Sequence, residues 1–405
     1  MWEQIRSNQI RSVFLIISMG IVLVVLGYFL GAALLDNPLG GLLIAIIVWL
    51  IMNLVALFQG DDILLSMSGA KKIKPEDHPR LYNIVEEMKI ASGLEYMPSI
   101  YIIDDPAMNA FATGRNPNKA SVAITTGLLE KLNRDELQGV IAHEISHIKN
   151  RDVQLMVFAS ILLGAIVILS YYASRVLFFS SMTGGRRSSS SGGGGGAQII
   201  ILIVGLVLMI LAPIMAQMIY FAISRKREYL ADASAALYTR YPDGLASALE
   251  KIQNGGSNVK KANKATAPMY INNPFYKRGM QANSAFATHP PIAERIRILR
   301  SMGGASFKDY ESSFENLKGG KIIPASAMLL SGSETIEKRS ASPESQDGEL
   351  KAKISRTRET NDLMWRMNNY STVTCENCGT RLKLPPSYNK MAVRCPHCGH
   401  LNRIK

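Results

Sequence analysis

The sequence predicts an α-helical integral membrane protein with four transmembrane helices, a cytoplasmic α+β domain and a small cysteine-rich module at its C-terminus. Three observations support this fold class. Hydrophobic residues make up 47% of the chain and are concentrated in four uncharged runs. Two histidines stand four residues apart around a glutamate, in the order His143, Glu144, His147. All four cysteines lie after residue 374, in two Cys-x-x-Cys pairs.

Each of the four apolar runs is long enough to cross a hydrocarbon core of about 30 Å as a helix. Residues 13–35 and 39–58 are separated only by Asp36-Asn37-Pro38, which predicts an uncleaved hairpin over residues 1–60 rather than a signal peptide. Residues 153–174 and 199–223 predict a second hairpin over 153–223. The Ser/Gly tract that joins its two helices is typical of a flexible connector.

Lysine and arginine near the span ends predict the orientation of the chain. One side carries nine of them: Arg6, Arg11, Lys71, Lys72, Lys149, Arg151, Arg225, Lys226 and Arg227. The other side carries three: Arg175, Arg186 and Arg187. This bias places both termini and the His-Glu-His segment in the cytoplasm. Because most of these cations flank the membrane spans, we attribute the net charge of +13 to contact with anionic lipid head groups. We therefore expect the protein to contact a lipid bilayer and not to bind nucleic acid.

The two cytoplasmic pieces predict one α+β domain over residues 61–305, interrupted by the second hairpin. His78-Pro79-Arg80 precedes a helix with apolar residues at helical spacing. Residues 100–103, 109–113 and 121–125 predict strands. Residues 243–254 and 291–300 predict two further helices, and the polar residues 306–370 predict an irregular linker.

The helix that carries the histidines has a recognisable start. Asn133 is followed three residues later by Glu136, which is typical of a capping box. On this helix, residues four apart project from one face, so His143 and His147 can reach one metal ion with Glu144 beside it. Two neutral nitrogen ligands and a carboxylate that takes a proton from water suit a hydrolytic zinc ion. A chance pair of histidines is the competing interpretation, which the capped helix disfavours. We expect the helix to continue directly into the third apolar run.

A catalytic zinc ion needs a third protein ligand, and Glu228 is the candidate. His147 lies six residues before the third apolar run and Glu228 five residues after the fourth, so both lie within about 10 Å of the same membrane face. An ordinary charged residue flanking a span fits the spacing equally well. Asp232, one helical turn further on, is a candidate for orienting a histidine from outside the metal shell.

Four motifs together resemble the HtpX-type family of membrane metalloproteases, from about residue 10 to residue 300. They are Asn109-Ala110-Phe111-Ala112-Thr113-Gly114, His143-Glu144-x-x-His147, Glu228-Tyr229-x-Ala231-Asp232 and Thr288-His289-Pro290-Pro291-x-x-x-Arg295-Ile296. The resemblance implies a zincin-like protease domain with Glu228 as third zinc ligand. It also implies an endopeptidase in the inner or plasma membrane of a prokaryote that degrades damaged or misassembled membrane proteins from the cytoplasmic side. The family architecture ends near residue 300, so the remaining chain departs from it.

Two of these motifs leave the role of their residues open. His289 either stabilises the negative charge that develops on the attacked carbonyl oxygen or packs at a helix start before Pro290. Asn109, Ala110, Phe111 and Ala112 form either an edge strand that pairs with an extended substrate or an ordinary strand of the sheet.

The four cysteines predict a zinc ribbon over residues 371–405. Cys375 and Cys378, and then Cys395 and Cys398, form two Cys-x-x-Cys-Gly knuckles separated by 16 residues, a spacing typical of structural zinc. A redox-active pair is the weaker interpretation. Four thiolates leave no open position for water, so we expect two zinc ions per chain, one catalytic and one structural.

These features predict a membrane-integrated zinc metalloendopeptidase that acts on membrane proteins or unfolded polypeptides. A prenyl-protein (CAAX-type) endopeptidase has the same three-ligand logic, but those enzymes have more spans than the four predicted here. A noncatalytic membrane scaffold stabilised by zinc is a third hypothesis. Glu144 argues against a scaffold, because a structural metal site has no use for a base.

Overall fold

The structure is a computed structural model, and it describes residues 2–182, 225–255, 269–271, 290–330, 336–343 and 349–404, with a few isolated positions between 203 and 214.

The chain begins with two long helices that form a tight hairpin. Helix α1 spans Trp2–Leu35 and α2 spans Pro38–Met67, with the Asn37 side chain capping α2 through the Gly40 N–H. The helices touch through glycine: a Cβ atom on Gly41 would lie 2.3 Å from the carbonyl oxygen of Gly27. Only glycine permits this backbone approach, which is typical of helices that pack closely in a membrane.

The described residues contain fewer membrane-spanning helices than the four that the sequence predicts. Helix α2 is the one described helix long and apolar enough to cross a bilayer by length and composition, and α1 contains a shorter apolar stretch, Ile16–Ala32. The third predicted run lies in helix α6, Asp152–Met182. The fourth, 199–223, lies almost entirely outside the described residues, so four spans remain a prediction.

A four-stranded sheet lies at the centre of the α+β domain that follows the two N-terminal helices. Its strands are β1 (Ala70–Lys72), β2 (Ser99–Ile103), β3 (Ala110–Gly114) and β4 (Ala120–Thr125), in the order β1-β2-β4-β3. Strands β2 and β4 are parallel, whereas β1 and β3 are antiparallel to their neighbours. The three predicted strands are confirmed within one residue. Strand β3 has a partner on one side only, so it is an edge strand of the described sheet.

Helices cover this sheet and enclose the core. They are α3 (Pro79–Ser92), α4 (Thr126–Lys131), α5 (Arg134–Lys149), α7 (225–239), α8 (Pro242–Asn254) and α9 (Ile292–Ser301). The predicted capping box of α5 is confirmed, since Asn133 and Glu136 bond each other's backbone N–H groups. Helix α5 is buried along its length, and this places the His-Glu-His segment at the centre of the domain.

The expected continuous helix from α5 into the third apolar run is wrong. Helix α5 ends at Lys149, and Arg151 has a φ of +59°, which breaks the helical path before α6 starts at Asp152. A left-handed residue costs a non-glycine side chain about 1 kcal/mol or more. The break turns Asp152 back toward α5, where it meets His147.

The expected irregular linker over residues 306–370 is also wrong for the described part of that segment. It contains helices α10 (Phe307–Lys318), α11 (Ala325–Leu330) and α12 (Glu349–Met367). Phe307, Tyr310 and Phe314 of α10 and Leu363 of α12 join the main hydrophobic core. The polar composition of this segment led to the wrong prediction, because each of these helices buries only a narrow apolar stripe and is otherwise polar.

A short strap, residues 336–343, fastens this extension to the start of α5. The guanidinium of Arg339 donates to Asp135 at 2.7 Å and to Gln138 at 2.8 Å, and the Ser342 N–H donates to Asp135 at 2.8 Å. The Asp135 side chain is 2% exposed. A buried carboxylate needs such partners, so the strap is part of the structure of the α+β domain.

We expect Arg339→Ala to destabilise the protein by about 1–3 kcal/mol, because it removes the charged hydrogen bond that Arg339 donates to the buried Asp135 carboxylate. Thermal unfolding of the detergent-purified protein measures this as a lower Tm. Arg300→Ala is the matched control. Its pair with Glu250 is about half exposed on both sides, so the control should change stability by less than about 0.5 kcal/mol. An equal loss in the two variants would contradict a structural role for the strap.

The C-terminal module consists of two similar knuckles. Hairpin β5–β6 (Ser371–Thr374, Arg381–Leu384) flanks the first, and β7–β8 (Ala392–Arg394, Leu401–Arg403) flanks the second. In each, a glycine with φ above +65° follows the second cysteine: Gly379 at +70° and Gly399 at +74°. This conformation is strained for residues with a side chain, which explains the glycine after each pair. Helix α12 leads directly into this module.

Candidate active site

Three potential metal ligands converge where α5 meets α7. The Nε2 atoms of His143 and His147 lie 3.3 Å apart, and each lies 3.5 Å from a carboxylate oxygen of Glu228. All three side chains are buried. The two helices that lead to and from the predicted second hairpin therefore meet at this site, as the spacing of His147 and Glu228 suggested.

The second nitrogen of each histidine is bonded to a carboxylate. Nδ1 of His143 lies 3.1 Å from Asp232, and Nδ1 of His147 lies 3.1 Å from Asp152. Each carboxylate holds the hydrogen on Nδ1 and leaves the lone pair of Nε2 for a metal ion. Asp232 thus has the position that the sequence suggested.

Asp152 is a functional candidate that the sequence analysis missed. It is the first residue of α6 and lies 3.6 Å from the guanidinium of Arg227 on α7. Its place after a helix and before an apolar run made it look like an ordinary boundary residue. Asp152 lies five residues after His147, and in a continuous helix this spacing would not bring the two side chains together. Only the helix break at Arg151 makes the contact possible, and the sequence did not predict that break.

Arg295 completes the charge balance around the ligands. It is fully buried and donates to both carboxylate oxygens of Asp232, at 2.7 and 2.8 Å. Burial raises the pKa of Asp232, but the charge and hydrogen bonds of Arg295 outweigh it and hold this pKa below its usual value. Asp232 therefore stays ionised and can hold His143.

The protonation of the metal-free site follows from these contacts. Burial lowers the pKa of His143, but hydrogen bonds to Asp232 and Glu228 outweigh it and raise this pKa to about 9. A metal ion at Nε2 has to replace that proton. Burial also raises the pKa of Glu144, against the charges of His143 and His147, which lower it. A carboxyl with a raised pKa beside a metal site is suited to carry a proton near neutral pH.

The substrate-binding candidates Asn109, Ala110, Phe111 and Ala112 lie beside this site. Three of them belong to β3, and Asn109 directly precedes it. The Ala112 backbone N–H bonds to the Glu144 carboxylate, which brings the edge strand and the candidate base together. His289 lies outside the described residues, so its two interpretations stay open.

The donor set fits zinc. Two imidazole nitrogens and a carboxylate oxygen are typical ligands of catalytic zinc, and with metal–ligand bonds of about 2.1 Å a tetrahedral site has ligand–ligand edges of about 3.4 Å. The Nε2 atoms of the two histidines lie 3.3 Å apart, close to such an edge, and each lies 3.5 Å from a different oxygen of the Glu228 carboxylate. A zinc ion held by these three side chains would have a further ligand position open to water or substrate.

The four cysteines form a second cluster with a different chemistry. Their sulfur atoms lie within 4.8 Å of one another, with contacts of 3.5 Å between Cys375 and Cys398 and 3.6 Å between Cys378 and Cys395. Four thiolates about 3.8 Å apart match tetrahedral zinc. This cluster suits a structural metal and is consistent with a zinc ribbon.

Comparison with known proteins agrees with this geometry. The sequence profile described as "Peptidase family M48" matches residues 75–303, more than half of the chain. The chain belongs to peptidase family M48. It is an M48 zinc metalloendopeptidase with His143, His147 and Glu228 as its metal site, as the sequence predicted.

Curated relatives of this M48 peptidase carry the description "Protease HtpX homolog". The one from Dictyoglomus turgidum is 45% identical over 310 residues, which cover 75% of this chain and 95% of the relative. The one from Streptococcus gordonii is 41% identical over 302 residues, 75% of this chain and 100% of the relative. The chain is therefore an HtpX homologue. A crystal structure of S. mikatae Ste24p matches with 21% identity and a TM-score of 0.36, covering 73% of this chain and 66% of that one.

We expect Asp152→Asn to weaken zinc binding at the catalytic site or lower activity by about 10–100-fold, the usual cost of losing a carboxylate behind a metal-binding histidine. Competition with a chromophoric chelator measures the zinc affinity, and casein cleavage measures the activity. Asp243→Asn is a control because Asp243 lies on the exposed side of α8, 3.9 Å from Lys338. Equal behaviour of the two variants would exclude a positioning role for Asp152.

Proposed function

We propose that this HtpX homologue is a membrane-integrated endopeptidase that cleaves damaged or misfolded membrane proteins on the cytoplasmic side of a prokaryotic membrane. One observation carries the proposal: the His143–His147–Glu228 site, with Glu144 on the same helix, lies against an edge strand. A scaffold needs only a closed metal site. It needs neither a carboxylate such as Glu144 beside the metal nor an edge strand next to it. An endopeptidase for unfolded chains needs all three.

Each residue of the site has a role in the proposed reaction. His143, His147 and Glu228 would hold zinc, which when bound polarises a carbonyl group and lowers the pKa of water toward about 7. Glu144 takes the proton from the attacking water and returns it to the leaving amine. Asp232 and Asp152 keep the histidines in the orientation that presents Nε2 to the metal. The buried surroundings keep these charges in a medium of low dielectric, where they act strongly.

The cytoplasmic location rests on the two N-terminal helices and on the distribution of basic residues. Helix α2 runs past its apolar part to Met67, and its Leu64 and Leu65 belong to the same hydrophobic cluster as Phe111 of β3. The membrane helix and the sheet therefore share a hydrophobic cluster, which holds the active site close to the bilayer. Nine of the twelve flanking cations lie on the side of the active site by sequence, in accord with the positive-inside rule.

Damaged membrane proteins are the proposed substrates because of where the site lies and how β3 can bind. An edge strand offers backbone N–H and C=O groups to an extended chain of any sequence. Such pairing favours unfolded segments over folded ones, whose backbone groups are already bonded. The zinc ribbon, held by α12, is proposed to contribute protein or substrate contacts.

The test is cleavage by the full-length, detergent-purified protein. Casein and a destabilised membrane protein are incubated with zinc and, separately, with a chelator. Zinc-dependent cleavage of both substrates is the expected result, and Glu144→Gln should cleave them at least about 100-fold more slowly. Cleavage that persists with the chelator would indicate a contaminating protease. A zinc-loaded protein that cleaves neither substrate would support the scaffold hypothesis instead.

A further inference from the structure

The outer edge of β3 alternates between residues that face β4 and residues that face away. The Asn109 carbonyl accepts from the Thr125 N–H on β4. In an antiparallel pair, the N–H and C=O of a residue point to the same side and the side changes with each residue. Ala110, Ala112 and Gly114 therefore direct their backbone groups outward, where a substrate would pair.

A segment of the chain itself already occupies one end of this edge. The Ile271 N–H donates to the Ala110 carbonyl at 3.0 Å. The Tyr270 ring packs edge-on against Phe111, with centroids 5.1 Å apart and planes at 81°. Met269, Tyr270 and Ile271 are each no more than 3% exposed, so the contact is part of the packed interior.

The segment is anchored on both sides of the sheet. Met269 and Tyr270 belong to the cluster that contains Leu64 of α2 and Val157 of α6, whereas Ile271 belongs to the main core. Displacing the segment would expose three large apolar side chains to water. We therefore regard it as a fixed element and not as a lid.

The other end of β3 is held by helix α2. The Asp61 carboxylate accepts from the Thr113 hydroxyl at 3.3 Å and from the Arg115 N–H at 3.1 Å. These contacts fix the turn that begins at Gly114. Between the two restraints, Ala112 and Gly114 direct backbone groups outward over about 7 Å of the strand, and a substrate would pair there through the Ala112 carbonyl and the groups of Gly114. Ala112 is the residue whose N–H reaches Glu144.

We propose that residues 269–271 are a specificity-determining stop that ends substrate pairing at Ala110. The substrate is an extended polypeptide that pairs with the edge strand only from Ala112 to Gly114. On the Ala110 side of the scissile bond, residues beyond the first or second gain no backbone contact with β3. This inference rests on the proposed endopeptidase function, and it makes the enzyme tolerant of sequence because so few residues are held.

Ile271→Pro tests the stop because proline has no N–H to give to Ala110. Nested peptides around a mapped casein cleavage site, lengthened one residue at a time on each side, are assayed for kcat/KM. In the wild type, kcat/KM should stop rising within two residues on one side. In Ile271→Pro, one further residue on that side should raise it about 2- to 10-fold, the effect of one hydrogen bond. Ile271→Val keeps the N–H and should show the wild-type length dependence.

Other outcomes overturn the proposal. A length dependence that is the same in both proteins excludes a stop, and an equal rise for every peptide indicates self-inhibition instead. A measurement on the wild type does not depend on the folding of a variant: hydrogen exchange of the Ile271 amide with and without a peptide hydroxamate. Continued protection upon inhibitor binding is expected, and loss of protection would show that substrate displaces the segment. A wild type without zinc-dependent cleavage would refute the endopeptidase function itself, whereas the outcomes above refute only the stop.

Discussion

Glu144→Gln is expected to lower kcat for casein cleavage by about 10²–10⁴-fold while the protein keeps its catalytic zinc. Glutamine has nearly the same shape as glutamate, but it cannot take a proton from water. The change also removes one of the four buried carboxylates around the histidines, so the fold should be retained. Cleavage rates and the zinc content of the purified protein, measured by mass spectrometry, check the two parts of this expectation.

Glu86→Gln is the control for Glu144→Gln, because it makes the same chemical change at an exposed position of α3. It should cleave casein like the wild type. If Glu144→Gln retained full activity in a preparation free of other proteases, Glu144 would not be the base. If it lost zinc as well as activity, the loss of activity would say nothing about proton transfer, and Glu144→Asp would then separate the two roles.

Glu228→Ala is expected to abolish activity by removing one of three zinc ligands. The loss in zinc affinity should exceed the roughly 10–100-fold that loss of a supporting residue costs. Because the cysteine cluster is separate and closed, its metal should stay. The zinc content should therefore fall from about two ions per chain to about one. Metal analysis after dialysis against a mild chelator gives this number directly.

Cys378→Ser provides the reciprocal variant. It opens the four-sulfur cluster and should also reduce zinc to about one ion per chain, while the His143–His147–Glu228 site keeps its metal and the core domain remains folded. If Glu228→Ala still bound two zinc ions, the third ligand would have to be another group, and the convergence of α5 and α7 would have a purely structural meaning.

The residues that bind the metal could be predicted from the sequence because they follow local rules. Positions i and i+4 share a helix face whatever the fold around them, so His143 and His147 needed no tertiary information. The cysteine knuckles are equally local, since each Cys-x-x-Cys-Gly turn forms within five residues. Glu228 could be proposed as a ligand only because the apolar runs predict membrane spans, which place Glu228 and His147 near the same membrane face.

The sequence was misleading where burial is sparse or a helix breaks. Residues 306–370 contain few apolar residues, yet α10 and α12 place theirs in the core and Arg339 binds a buried carboxylate. The junction at Arg151 contains no proline or glycine, the usual signals of a helix break. The sequence therefore did not predict the left-handed residue that brings Asp152 to His147. Packing overrode local preference at both places.

The sequence by itself predicted the chemistry of this protein: which side chains can bind metal, which carboxylate is placed to act as a base and which segments are apolar. These depend on residue type and on spacing within a few helical turns. Only the tertiary structure showed which contacts surround these residues. Asp152 and Arg295 support the metal ligands, the C-terminal extension is bound to α5, and Ile271 donates a hydrogen bond to Ala110. Such contacts join residues up to about 200 positions apart, and their formation depends on the summed burial of the whole core rather than on any local pattern.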